Sequence, residues 1–137
     1  MKREILFRGK CVSDSKYAGQ WVEGGYVPPY EDSETKEALI VVFYGENSTS
    51  TYHVIPETVG QYTGLIDKNG KRIFEGDIVL MENVYRYGAC RGVVKWDNDG
   101  YWYTDYKGDY DQRIHGAWGF VIGNIHDNPE LLKGGEE

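Results

Sequence analysis

Residues that usually announce chemistry are scarce in this sequence. Its 137 residues include two cysteines, three histidines, four prolines and two methionines. Cys11 and Cys90 stand far apart, and neither has a second Cys or a His at metal-ligand spacing. A structural zinc site needs about four ligands, usually clustered in pairs, so none is expected. Two isolated cysteines also make no disulfide framework; they read as reduced, partly buried thiols, as free cysteine usually is. His53, His115 and His126 are likewise solitary, and His126 reads as a surface residue. No serine sits in a Gly-x-Ser-x-Gly elbow. "GKCVSDS" and "GENSTS" lack the glycine spacing and the Gly-Lys-Ser/Thr ending of a phosphate loop. No cofactor is implied.

Long apolar runs are missing too. None approaches the roughly 20 residues that cross a bilayer, and "MKREILFRGK" places charges on both sides of its short apolar stretch, unlike a signal peptide. A soluble, cytoplasmic protein with no membrane partner is expected. Positive charge is in deficit: 15 Lys and Arg face 22 Asp and Glu, a net charge of −7. Non-specific nucleic-acid affinity comes from cations neutralising phosphates, so an acidic chain without a basic run leans away from that role.

Tyrosine, tryptophan and glycine are abundant. There are 12 Tyr, four Trp and 18 Gly, with 40% hydrophobic residues overall. Aromatic residues favour strands and half-buried surfaces, and frequent glycines imply frequent turns. "EILFRGK", "CVSDSKYAGQWVEGGYV", "STSTYHVIP", "DIVLMENVY", "GVVKW", "YWYTDY" and "AWGFVIGNI" read as strands or strands broken by turns. "LIVVFYG", residues 39–45, has a continuous β-branched run that suggests burial on both faces. "VPPYEDSETKEA" and "KGDYDQR" read as surface loops, and "DNDG" as a hairpin turn. In "HDNPELL", Asn128 reads as an N-cap and Pro129 as the first residue of a helical turn that directs Leu131 and Leu132 inward. The fold class is therefore all-β and mainly antiparallel: a small bent sheet or SH3-like barrel with a short C-terminal helical turn. The length fits one domain over residues 1–137 or two lobes, about 1–60 and 61–133, the second barrel-like.

The most patterned stretch is "GQYTGLIDKNGKRIFEGDIV", residues 60–79. Asn69-Gly70 fits a type I′ hairpin turn, which needs positive φ at both central residues. Gly76 is free to turn left-handed before the next strand. Gly60, Gly64, Gly70 and Gly76 read as backbone devices; Tyr62, Leu65, Ile73, Phe74, Ile78 and Val79 read as core; Glu75 and Asp77 read as side chains that bind turn N–H groups. The stretch, together with "REILFRGK" and "FVIGNIHDNPELL", resembles the YopX family of phage and prophage proteins. The resemblance spans the start, middle and end of the chain and implies a β-rich fold. It carries no catalytic or ligand-binding residue across.

"WDNDG" and "IDKNG" each share part of a calcium loop, but the position five before the glycine is Lys95 or Leu65, which fails the pattern. Asp97, Asp99, Asp105, Asp109 and Asp111 interleave with Tyr101, Tyr103, Tyr106, Tyr110 and Trp102. Paired carboxylates can act in general acid–base chemistry, yet no nucleophile or histidine stands near them in sequence, so no catalytic residue is assigned. Tyr and Trp are common binding anchors, which makes Tyr101, Tyr103, Asp105, Tyr106 and Tyr110 a candidate interaction surface. The expected function is a non-enzymatic module that binds a phage or host protein, with self-association as a further property. Two rivals follow from the same residues. One is a single-stranded nucleic-acid binder, if Lys68, Lys71, Arg72, Arg86, Arg91 and Lys95 converge near exposed aromatics. The other is an acidic mimic of nucleic acid.

Overall fold

A computed structural model describes residues 5–13, 15–29, 37–81, 90–96, 102–106, 110–113 and 119–133, with Cys90, residues 102–106, 110–113 and Lys133 as backbone only. The chain divides into two compact units, Met1–Tyr62 and Thr63–Glu137. All strand pairings are antiparallel.

In the first unit, β1 (Phe7–Lys10), β2 (Trp21–Val27), β3 (Ala38–Phe43) and β4 (Thr49–Val54) form consecutive ladders, and the start of β5 (Gly60–Ile66) pairs on the far side of β1. The ladder bends at the glycine pair of β2. Gly24 is the last residue paired with β1, opposite Phe7, and Gly25 begins the pairing with β3, opposite Val41. A Cβ on Gly24 would stand 2.1 Å from the Val41 carbonyl oxygen, so the bend needs glycine there. The curl brings β4 back to the end of β1. Cys11 bridges Val54, Val12 N–H donates to His53 C=O at 3.0 Å, and Ile55 N–H donates to Lys10 C=O at 2.8 Å. One bridge is not a ladder, so the sheet is strongly bent without being a barrel. A 3₁₀ turn, Pro56–Thr58, follows. The Thr58 hydroxyl accepts Lys10 N–H at 2.9 Å and donates to Ile55 C=O at 2.6 Å.

The core of this unit is Ala38, Ile40 and Val54, surrounded by Phe7, Val22, Tyr26, Val42, Tyr52 and Val59. Full burial of Ile40 and Val54 contributes about 1.5–3 kcal/mol each. Burial of the 39–45 run on both faces is not what forms. Ala38 and Ile40 are buried, but Val41 and Val42 are half-buried and Phe43 and Tyr44 are exposed. The run is apolar because one face enters the core while its end reaches solvent. Cys11 is a buried free thiol, and that burial pushes its pKa up.

In the second unit, β5 continues into a hairpin with β6 (Arg72–Phe74), and β7 (Asp77–Met81), β8 (Cys90–Trp96), β9 (Trp102–Tyr106) and β10 (Tyr110–Arg113) form a meander. The last strand, β11 (Gly119–Asn124), returns beside β7, giving the order β10-β9-β8-β7-β11. Among the described residues this sheet is open, with β10 and β11 as its edges, so the expected SH3-like closure is replaced by a bent sheet. "KGDYDQR" is only partly loop: Tyr110–Arg113 is a strand whose Tyr110 and Asp111 face Tyr106 and Asp105. Ile73, Val79, Met81 and Val94 form the core, with Leu65 and Val121 packed against it. Tyr62, Phe74 and Ile78 are buried as expected, and Leu65 is half-buried. The chain ends in a single helical turn, α1 (Glu130–Lys133). Its Leu131 and Leu132 are half-buried. Asn128 starts the turn through its carbonyl, which accepts Leu131 N–H at 3.0 Å. Its side chain does not act as the expected cap; it reaches back to accept Asn124 N–H at 3.3 Å.

Candidate interaction site

The patterned hairpin is built around a residue that sequence reading passed over. Asp67, 5% exposed, accepts backbone N–H groups from Asn69 (2.8 Å) and Lys71 (2.9 Å) through Oδ1. Its Oδ2 accepts Val121 N–H at 2.9 Å. One carboxylate therefore shapes the β5–β6 turn and fastens it to β11. Burial alone would raise its pKa; the N–H groups of Val121, Lys71 and Asn69 and the Lys71 charge outweigh that and hold it below the ordinary carboxylate value. The turn is not type I′. Gly70 N–H bonds to Asp67 C=O at 3.0 Å and Asp67 N–H to Lys71 C=O at 2.8 Å. Lys68 and Asn69 are thus the central residues, and Gly70, at φ +82°, is the left-handed residue that follows them. This is the three-residue hairpin loop with a glycine bulge. In this turn the Asp67 side chain bonds both N–H groups. The signal was available: Asp leading a turn binds N–H groups two residues on.

Several buried polar residues of the patterned segments also bond backbone groups. Thr63 Oγ1 donates to Ile73 C=O at 2.8 Å and accepts Leu65 N–H at 3.1 Å. Asp77 Oδ2 accepts Phe74 N–H at 2.8 Å, spanning the turn at Gly76. Gly76 sits at φ +92°, its N–H bonded to Val94 C=O and its C=O to Ile125 N–H, both at 2.9 Å. Gly64 is also left-handed, at φ +89°. Asn124 Oδ1 accepts the N–H groups of His126 (3.0 Å) and Asp127 (2.9 Å). His126 is half-buried in this turn rather than a surface residue. "IDKNGKRIFEGDIV" and "VIGNIHDNPELL" are two sides of one hydrogen-bonded corner.

Large exposed aromatic side chains lie on the first unit. The β3–β4 hairpin end presents Phe43 and Tyr44, 68% and 53% exposed. Tyr44 Oη lies 3.1 Å from Tyr52 Oη, and that hydrogen bond raises the Tyr44 pKa, keeping the phenol neutral. Tyr52 meets Tyr17 edge-to-face at 5.3 Å. Lys16 Nζ lies 5.1 Å from the centroid of the Tyr17 ring. Tyr44 N–H bonds to Ser48 C=O at 2.7 Å, fixing the turn that displays the ring. Tyr17 thus joins the hairpin pair Tyr44 and Tyr52. On the neighbouring edge, His53 Nδ1 and Glu37 Oε2 lie 2.6 Å apart.

Of the sequence-derived surface, Tyr101 lies outside the described residues, as do Asp97, Asp99, Asp109, His115 and Arg86. Register places the others on two faces. Val94, buried in the core, stands opposite Thr104, and Trp96 opposite Trp102. Cross-strand neighbours share a face, so by register Tyr106 and its partner Tyr110 share one face of the sheet, and Tyr103 and Asp105 share the other. The cations divide similarly. Lys68, Lys71 and Arg72 occupy one hairpin and Lys95 is exposed on β8. Arg91 Nη1 donates to Leu131 C=O at 2.8 Å, tying down α1. Among the described residues no cluster of His, Cys, Asp or Glu is placed to hold a metal ion, and no helix is long and apolar enough to cross a membrane.

The family model for YopX protein matches residues 12–133. The chain belongs to the YopX family. No curated protein sequence matches this YopX chain. Among solved structures, the crystal structure of protein EF1440 from Enterococcus faecalis aligns with a TM-score of 0.56 at 23% identity, covering 96% of this chain and 99% of that one. At that identity the likeness shows a shared fold. The YopX match runs through both patterned segments and through the Tyr17, Tyr44 and Tyr52 positions.

Proposed function

We propose that this YopX protein is a phage- or prophage-derived accessory protein that works in the bacterial cytoplasm by binding another protein, without catalysing a reaction. The observation that carries this reading is the exposed aromatic end of the β3–β4 hairpin, Phe43 and Tyr44, backed by Tyr52 and Tyr17. Rigid aromatic side chains supply large contact area at low entropic cost, and Tyr is enriched among binding hot spots. The buried Thr63, Asp67, Asp77 and Asn124 of the signature support the same reading, because their hydrogen bonds hold turns together instead of pointing at a substrate.

Affinity capture from phage-infected host lysate, with and without nuclease, tests the reading. The expected result is one protein partner recovered regardless of nuclease and lost with Phe43→Ala/Tyr44→Ala. Truncating two such anchors typically costs more than about 2 kcal/mol of binding, a loss of about 30-fold or more. Recovery that vanishes with nuclease, or that the double variant leaves intact, would count against it.

A further inference from the structure

The β5–β6 hairpin ends in the run Ile66-Asp67-Lys68-Asn69-Gly70-Lys71-Arg72, and its only acid is turned inward. With Asp67 buried beneath the turn, the tip presents Lys68, Lys71 and Arg72, all exposed, on a chain whose net charge is −7. Leu65 and Ile73 face the core. Alternation therefore places Ile66, 52% exposed, and Arg72 together on the outer face of the hairpin. Lys68 Nζ lies 5.4 Å from the Phe120 ring centroid, a cation–π contact that fixes the ammonium beside an apolar surface. Its N–H bonds to Gly119 C=O at 3.0 Å. Together with the three N–H bonds to Asp67, this holds the tip rigid before any ligand arrives. A pre-ordered loop gives up little entropy on binding.

We propose that this tip is a recognition finger for an acidic peptide segment of a partner protein, with Lys68 and Lys71 meeting carboxylates and Ile66 meeting a neighbouring apolar residue. The site is independent of the aromatic end of β3–β4. Charge complementarity favours a peptide over nucleic acid. Two lysines release few counterions from a polyanion, and the surrounding field of an acidic protein repels a long phosphate backbone more than a short acidic stretch. Ile66 fits an aliphatic neighbour, whereas single-stranded bases need an aromatic face on which to stack.

The test is a titration of the ¹⁵N-labelled full chain, followed by amide chemical shifts. The probes are a short synthetic peptide of glutamate with interspersed leucine, the same peptide with glutamine for glutamate, and oligothymidine. The expected result is movement of the Ile66, Asn69, Gly70, Lys71 and Arg72 signals with the glutamate peptide only. Affinity should fall about tenfold or more in Lys68→Gln/Lys71→Gln and should weaken with added salt, while the amide spectrum of the free variant keeps the dispersion of the parent chain. Absence of shifts, or equal shifts with the glutamine peptide, would overturn the proposal. Tighter binding of oligothymidine at the same signals would also overturn it and would assign the finger to nucleic acid.

Discussion

Asp67 is the residue on which the signature corner turns. It is buried, ionised and bonded to three backbone N–H groups from two separate segments. Asp67→Ala leaves those donors unsatisfied, and each lost charge-assisted bond counts for about 1.5–3 kcal/mol; partial relaxation and water entry reduce the sum, so a loss of about 3 kcal/mol is expected in urea unfolding. The same carboxylate makes stability depend on pH. Its folded pKa lies below its unfolded value. Its contribution is therefore complete above the unfolded carboxylate pKa of about 3.9 and disappears as pH falls through the lower folded value. An Asp67→Asn variant should accordingly show a flatter stability curve below about pH 4, and coincident curves would remove Asp67 as the cause. Gly76→Ala places a Cβ at φ +92°, a left-handed cost of about 1–2 kcal/mol measurable as a lower urea midpoint.

At the scale of elements, the strands were legible and their partners were not. β3 was evident from "LIVVF", and β5, β6 and β7 from the alternation of apolar residues with glycine turns. The β5–β6 turn type was missed because Asn-Gly is a strong local signal and the side chain that bonds the turn lies two residues upstream. β10 was missed because "DYDQR" is polar, and its partner β9 supplies the ladder that its sequence does not suggest. The aromatic cluster was invisible for a different reason: the β3–β4 hairpin brings Tyr44 to Tyr52, and Tyr17 joins them where β4 returns to the end of β1. That curl makes its own prediction. Cys11 is sealed where β4 meets the end of β1. In a Cys90→Ser background the Cys11 thiol should resist alkylation by iodoacetamide until urea unfolds the chain, since a buried, protonated thiol is unreactive. Rapid labelling of the native protein would contradict the bridge between Cys11 and Val54.

Across the whole molecule, the split between shape and recognition follows the distribution of polar groups. Asp67, Asp77, Thr63, Asn124 and Asn128 bind backbone. Phe43, Tyr44 and Ile66 are exposed. Substitutions in the first set should lower stability, and substitutions in the second should leave stability intact while changing what the protein captures. A net charge of −7 adds a salt dependence: repulsion from nucleic acid is strongest at low ionic strength and is screened beyond about 10 Å near 0.1 M salt.

The account rests on the signature being an architectural device, and urea unfolding of Asp67→Ala, followed by tryptophan fluorescence, tests that most directly. A drop of about 3 kcal/mol relative to the parent chain is predicted. Unchanged stability would contradict it, because a carboxylate that three backbone donors do not need is held in that corner for some other purpose.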